Sequence, residues 1–267
     1  MRPLLRELWR RSPILTATAL LHVALLVFTV IAVQVDQRTV LGINTWTKPA
    51  KFMASISVYL FTVAWLVGEL KRRGKLVAMI AVGISMSMVA ETVCLFIQAV
   101  RGTTSHYNLA TPFDGAVFGT MGLAIALDTV LMILLLALFL KKHDLAPAYL
   151  WGIRSGIAVF LLGSWIGGQM ISAGAHTVGA PDGGPGLPLV NWSTVAGDLR
   201  IAHALGLHGL QVLPLIGLWI SRRGISDTAN MPGPTRKILL IAAASVAYLV
   251  VFLAMYVRAR AGSPLLS

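Results

Sequence analysis

Arg200, His203, His208 and Gln211 stand inside a stretch, Gly197 to Gln211, that otherwise has the composition of a membrane helix. At the α-helical angle they fall within an arc of about 140°. One face of a lipid-embedded helix is therefore polar and ionisable. Such groups are costly in hydrocarbon and normally face the protein interior, where they bind something or move protons.

Other groups of this kind lie upstream. Glu91 and Gln98 are seven residues apart on one predicted helix, and Arg101 closes it. His106 and Asn108 follow in a short polar loop. Gln169 and Ser172 lead to His176, on one face if the helix continues that far. Lys48 and Lys51 enter at the membrane surface, where the alternatives are snorkelling to headgroups and anion recognition. His22 and Asp128 sit deeper, as possible partners or steps in a proton path. Asp114 and Asp198 are expected as helix caps.

Four histidines, His106, His176, His203 and His208, with one deep carboxyl, Glu91, suit a bound metal or haem. His203 and His208 are separated by about 7.5 Å of rise and roughly 140°, so they do not chelate one ion as an i, i+4 pair does. Haem b bound by two imidazoles from different elements needs room for a porphyrin. Gly206 and Gly209, with Gly167 and Gly168, are the expected source of it. Redox or electron transfer is then the leading expectation, with a quinone-like molecule among the small-molecule partners. A zinc or iron site built from His176 or His106 with His203 and Glu91 would instead serve a hydrolase or lipid-modifying enzyme. In the third reading the chain is a metal-free carrier or sensor of an anionic ligand or lipid. Lys48, Lys51, Arg101 and Arg200 would bind it, and Gln98, Asn108, Gln169 and Gln211 would add hydrogen bonds. Retinal chemistry requires a lysine in the last helix, and residues 238–257 have none. The late H-x-x-x-H of ceramidase-like hydrolases is also missing, as are phosphate-loop, dinucleotide and zinc-finger motifs.

The elements that must position these groups are membrane helices. The chain has 267 residues, 57% hydrophobic and 12% charged, with a mean hydropathy of +0.79. About 25% charged is usual for a soluble domain. Seven segments are long enough to span a bilayer, near 14–33, 52–69, 76–99, 115–140, 150–172, 199–220 and 238–257. An all-α, polytopic seven-helix bundle is expected, as one domain with no appended soluble part and a retained first helix. Cys94, the single cysteine, allows no intrachain disulfide.

The net charge of +12 would fit nucleic acid, but its distribution argues against that partner. With the N-terminus inside, the inner segments hold Arg2, Arg6, Arg10, Arg11, Lys71, Arg72, Arg73, Lys75, Lys141, Lys142, Arg154, Arg222, Arg223, Arg236 and Lys237. The outer ones hold Arg38, Lys48, Lys51, Arg101, Arg200, Arg258 and Arg260. This positive-inside bias orients the chain N-in, C-out and puts the polar site on the extracytoplasmic side of what is expected to be a bacterial inner membrane. Trp9, Trp65, Trp151 and Trp219 would then mark the inner interface, and Trp46 and Trp192 the outer.

Overall fold

A computed structural model describes residues 3–70, 74–225 and 232–265. Arg2, Lys71, Arg72 and Arg73 of the inner basic set lie outside these residues. The described chain is all-α, with eight helices and four two-residue strands. Seven helices have the length and hydropathy of membrane spans. The protein is an integral membrane protein, with apolar side chains such as Val27, Phe28, Val30 and Ile31 at least half exposed along its lipid-facing surface.

The chain folds as two compact units, Met1–Leu131 and Met132–Ser267, the division falling within α5 (Pro112–Leu140). The first unit begins with α1 (Pro3–Arg11), an amphipathic helix too short to span. Its Leu8 is buried. Its Arg11 lies over the Trp65 ring and bonds both Glu69 and the Trp65 carbonyl. The spans α2 (Pro13–Val35), α3 (Thr47–Gly68) and α4 (Gly74–Arg101) follow, with a hairpin of β1 (Thr39–Val40) and β2 (Ile43–Asn44) between α2 and α3. Leu15, Met53, Leu60, Ile80, Ile84 and Leu95 form their common core. The first part of α5 completes the unit.

The second unit contains α6 (Pro147–Ala173), α7 (Leu199–Arg222) and α8 (Gly233–Arg260). α6 and α7 form the most extensive helix pair, because glycines let their backbones touch. A Cβ on Gly163 would lie 2.8 Å from the Gly206 Cα, and one on Gly152 would lie 2.5 Å from the Leu213 carbonyl oxygen. Between these helices the chain is ordered by hydrogen bonds. β3 (Thr177–Val178) pairs with β4 (Gly197–Asp198), and Gly186 bridges to Ser193.

The observed spans contain the expected ones almost entirely, lengthened by a turn or less at most ends. α1 is an additional element. Trp9, Trp151 and Trp219 are exposed as belt residues should be. Trp46 is not. It is buried among Phe28 and Phe96, with its indole N–H donating to Asp36 Oδ2 at 2.8 Å.

Candidate functional site

In the second unit, the polar face of α7 is largely committed to structure. Asp198 caps α7 by accepting from the Arg200 N–H at 2.9 Å. Its carboxylate also takes the Arg200 guanidinium and the Ser193 N–H. Burial pushes the Asp198 carboxyl up, but the Arg200 contacts and the backbone N–H bonds outweigh this and hold it below its usual value. Arg200 bonds the Asn191 carbonyl as well, so it fastens the loop to the helix. His203 Nδ1 lies 2.8 Å from the Gly163 carbonyl of α6, which only accepts, so Nδ1 carries the proton. His208 is exposed and lies 3.3 Å from Gln211 Oε1. Gln169 accepts from the Tyr256 hydroxyl of α8.

Two expectations are corrected in this unit. α6 stops at Gly174, whose φ of +63° is a left-handed helix end, so His176 lies off the helix and does not extend the Gln169–Ser172 face. It pairs with Asp182 at 3.2 Å. The room sought at Gly206 and Gly209 is occupied. Gly206 meets Gly163 and Phe252, and Gly209 meets Val159 and Tyr248. Gly167 faces the His203 ring, and of the four glycines only Gly168 opens onto free space.

In the first unit, α3, α4 and the loop after α4 bring Lys48, Glu91 and His106 together. Lys48 Nζ lies 3.1 Å from His106 Nδ1. An ammonium only donates, so Nδ1 accepts and Nε2 bears the imidazole proton. That Nε2 faces Glu91 Oε1 at 3.8 Å, beyond hydrogen-bond length. Glu91 is 2% exposed, and its other oxygen, Oε2, has no partner. Phe52, Tyr107 and Phe118 surround the imidazole. Tyr107 holds φ at +59°, a left-handed conformation unusual for a tyrosine, which sets its ring edge-on to both His106 and Phe118. Lys51 sits one turn along α3, partly buried.

Beside this group, Gln98, Arg101 and Asp114 form a closed knot. Arg101 bonds Gln98 Oε1 and Asp114 Oδ1, and Gln98 also donates to Asp114. The expected cap role of Asp114 passes to Thr111. Thr111 Oγ1 accepts from the Asp114 N–H and donates to its carboxylate, a reciprocal cap at the start of α5. Asn108 ties the loop through Thr103, Thr104 and Ala110. The neighbouring Asp36 carboxyl is held far below the usual carboxylate range by Arg38, then by Trp46.

Deeper in the same unit, the expected pairing of His22 with Asp128 is replaced by two separate pairs. Tyr59 donates to Asp128 at 2.8 Å. His22 Nε2 lies 2.8 Å from Thr92 Oγ1, while Nδ1 meets the Thr18 carbonyl. Thr92 Oγ1 also lies 2.8 Å from the Met88 carbonyl, so one hydroxyl proton has two acceptors available. Tyr59 and Thr92 were not among the expected site residues. Tyr59 is the one tyrosine of α3, and a phenol deep in a span is the signal that marks it.

Among the described residues, no group of three or more His, Cys, Asp and Glu side chains is arranged as a metal site would require. Comparisons with protein-family models, curated proteins and solved structures found no match.

Proposed function

We propose that this protein is a membrane carrier or sensor of a small organic anion, bound at the Lys48 end of the first unit together with a proton on Glu91. The observation that carries this reading is the buried Glu91 carboxyl, with Oε2 unpartnered and Oε1 facing the His106–Lys48 pair across 3.8 Å. With Glu91 protonated, the group holds one net positive charge from Lys48 and suits an anion. With Glu91 ionised, the charges cancel. Proton and anion therefore favour each other's binding, and the coupling is reciprocal. The rings of Phe52, Tyr107 and Phe118 favour an anion with an apolar body, such as a carboxylate on a hydrocarbon. The positive-inside bias supports placing this end on the extracytoplasmic side of a bacterial inner membrane.

Benzoate and inorganic phosphate, titrated calorimetrically into the detergent-solubilised protein, test it. Benzoate should bind more tightly than phosphate, and its affinity should fall by up to about tenfold per pH unit once Glu91 ionises. Lys48→Gln should weaken it by tenfold or more, and Glu91→Gln should flatten the pH dependence. Benzoate binding unaffected by Lys48→Gln would sink the reading.

One observation favours a second reading, cofactor ligation in the other unit. The Gly163 carbonyl fixes the His203 proton on Nδ1, the arrangement that presents Nε2 to a metal or haem. An absorption spectrum and elemental analysis of purified protein test it. A Soret band or stoichiometric metal, lost in His203→Ala, is the expected result. A colourless, metal-free protein whose composition His203→Ala does not alter counts against it.

A further inference from the structure

Among the described residues, all but two of the eighteen buried polar or charged side chains, Ser193 and Asp198, belong to the first unit. So do all four buried side-chain oxygens without a partner, Thr16 Oγ1, Ser85 Oγ, Ser87 Oγ and Glu91 Oε2. The three hydroxyls depart from their neighbours' habit. Thr18, Ser57, Thr62 and Thr92 donate to the carbonyl four residues back on their own helix, the usual way to hide a helical hydroxyl in an apolar setting. Thr16, Ser85 and Ser87 make no such bond.

Their depths coincide. The Asp114–Gln98 bond aligns the start of α5 with the end of α4. Asp128, fourteen residues further along α5, is then about 21 Å below that bond, while Ser87, eleven residues back along α4, is about 17 Å below it. His22 and Thr92 share a level through their bond. Thr16 is about 9 Å below it on α2, and Ser85 and Ser87 are about 8–11 Å below it on α4. The Tyr59–Asp128 pair and the three hydroxyls therefore lie at a similar depth near mid-membrane, with Ser87 on the Glu91 face of α4 and Ser85 on its Thr92 face. Glu91 stands one helical turn, about 6 Å, from Ser87 in the direction of Lys48.

We propose that the interior of the first unit conducts protons across the membrane, with Asp128 and Glu91 as successive carboxyl stations and Ser87, on the same face of α4 as Glu91, holding the water between them. A buried hydroxyl that no protein group satisfies is where internal water is retained. Carboxyl chains inside membrane bundles are the usual form of a proton relay. The Asp128 carboxylate accepts a proton arriving from the Arg11–Glu69 end. It passes it through water to the Glu91 carboxylate and is left ionised for the next one. Glu91 releases the proton to water at the Lys48 end, so O–H bonds alone break and form. Asp128 is faced by Tyr59 of α3. Glu91 is faced by His106 of the loop and approached by Lys48 of α3, with Thr92 beside it holding His22 of α2. The proposal rests on Glu91 being the proton acceptor of the anion site.

The full chain is reconstituted in liposomes loaded with a pH-sensitive dye, and a potassium diffusion potential drives proton entry. Wild type should acidify the lumen faster than protein-free liposomes. Asp128→Asn, which keeps an acceptor for the Tyr59 hydroxyl, should cut the rate at least tenfold, and His143→Ala, in an exposed loop, should leave it unchanged. Where Asp128→Asn does not insert folded, Tyr59→Phe is measured instead and should also lower the rate. A wild-type rate no greater than that of empty liposomes overturns the proposal, as does a folded Asp128→Asn protein that matches wild type. Benzoate titration of Asp128→Asn in detergent separates the two ideas. Binding retained with flux lost leaves both standing. Binding retained in wild type without flux sinks the conduit alone, and flux in a wild type that binds no benzoate sinks the anion site alone.

Discussion

Asp198 illustrates how much one side chain can hold. It caps α7, accepts a guanidinium and fixes the Ser193 backbone, while being 1% exposed. Asp198→Ala removes the cap, worth about 1 kcal/mol, and leaves Arg200 without its carboxylate. Asp198→Asn keeps a capping oxygen and loses only the charge, so thermal unfolding should rank wild type above Asn and Asn above Ala. The folded-state carboxyl is held below its usual value. Its stabilisation is therefore fully present above the unfolded value, about 4, and is lost as pH falls through the folded one. The melting-temperature gap between wild type and Asp198→Asn should close below about pH 4. The cap was legible from Gly197-Asp198 before an apolar run. The fate of Arg200 was not, because the Asn191 carbonyl that it grips is brought there by loop geometry that residue types do not encode. Thr111 was legible and overlooked: Thr111-Pro112-Phe113-Asp114 is a capping-box pattern, and its first residue is the cap.

At the scale of elements, the seven spans could be read because twenty apolar residues leave few alternatives in a bilayer. α1 could not be read by that measure, since nine residues do not cross. The roles of the glycines were ambiguous for a definite reason: a missing Cβ signals close approach without saying whether a ligand or a helix comes close. The answer in the second unit is a helix. Gly206→Ala should lower the melting temperature, because the added Cβ meets the Gly163 backbone, whose atoms belong to a packed helix. The cost should be about 1–3 kcal/mol. Gly168→Ala, with nothing within 4 Å, should be neutral or mildly stabilising. If both variants melt alike, the backbone contact between α6 and α7 is not what holds the pair.

At the scale of the molecule, the two units differ in what they bury. The first has a polar interior crossed by four spans, and the second is packed backbone to backbone around α6 and α7. The conspicuous histidines, His203 and His208 of α7, lie in the second unit. The buried carboxyls and orphaned oxygens point to the first. Sequence favours the former because histidines are conspicuous in a membrane helix, whereas Ser85, Ser87 and Thr16 acquire meaning only once their hydroxyls are seen to make no bond. Hydrogen exchange measured in nanodiscs should reflect the contrast. Amides of residues 153–163 and 206–213 should exchange more slowly than those of residues 85–91, where a polar interior admits water. Equal protection in both would contradict a hydrated first unit.

Thr92 turns a pair of distances into a counting constraint. Its hydroxyl has one hydrogen and stands 2.8 Å from each of two partners, the Met88 carbonyl and His22 Nε2. Given to His22, the hydrogen leaves the Met88 carbonyl with one bond fewer. Given to Met88, it obliges the imidazole to supply a second proton of its own. The orientation of a single side chain therefore records the charge on a buried histidine. A deuterium-sensitive hydroxyl stretch, absent in Thr92→Val, would make that record readable from outside the membrane.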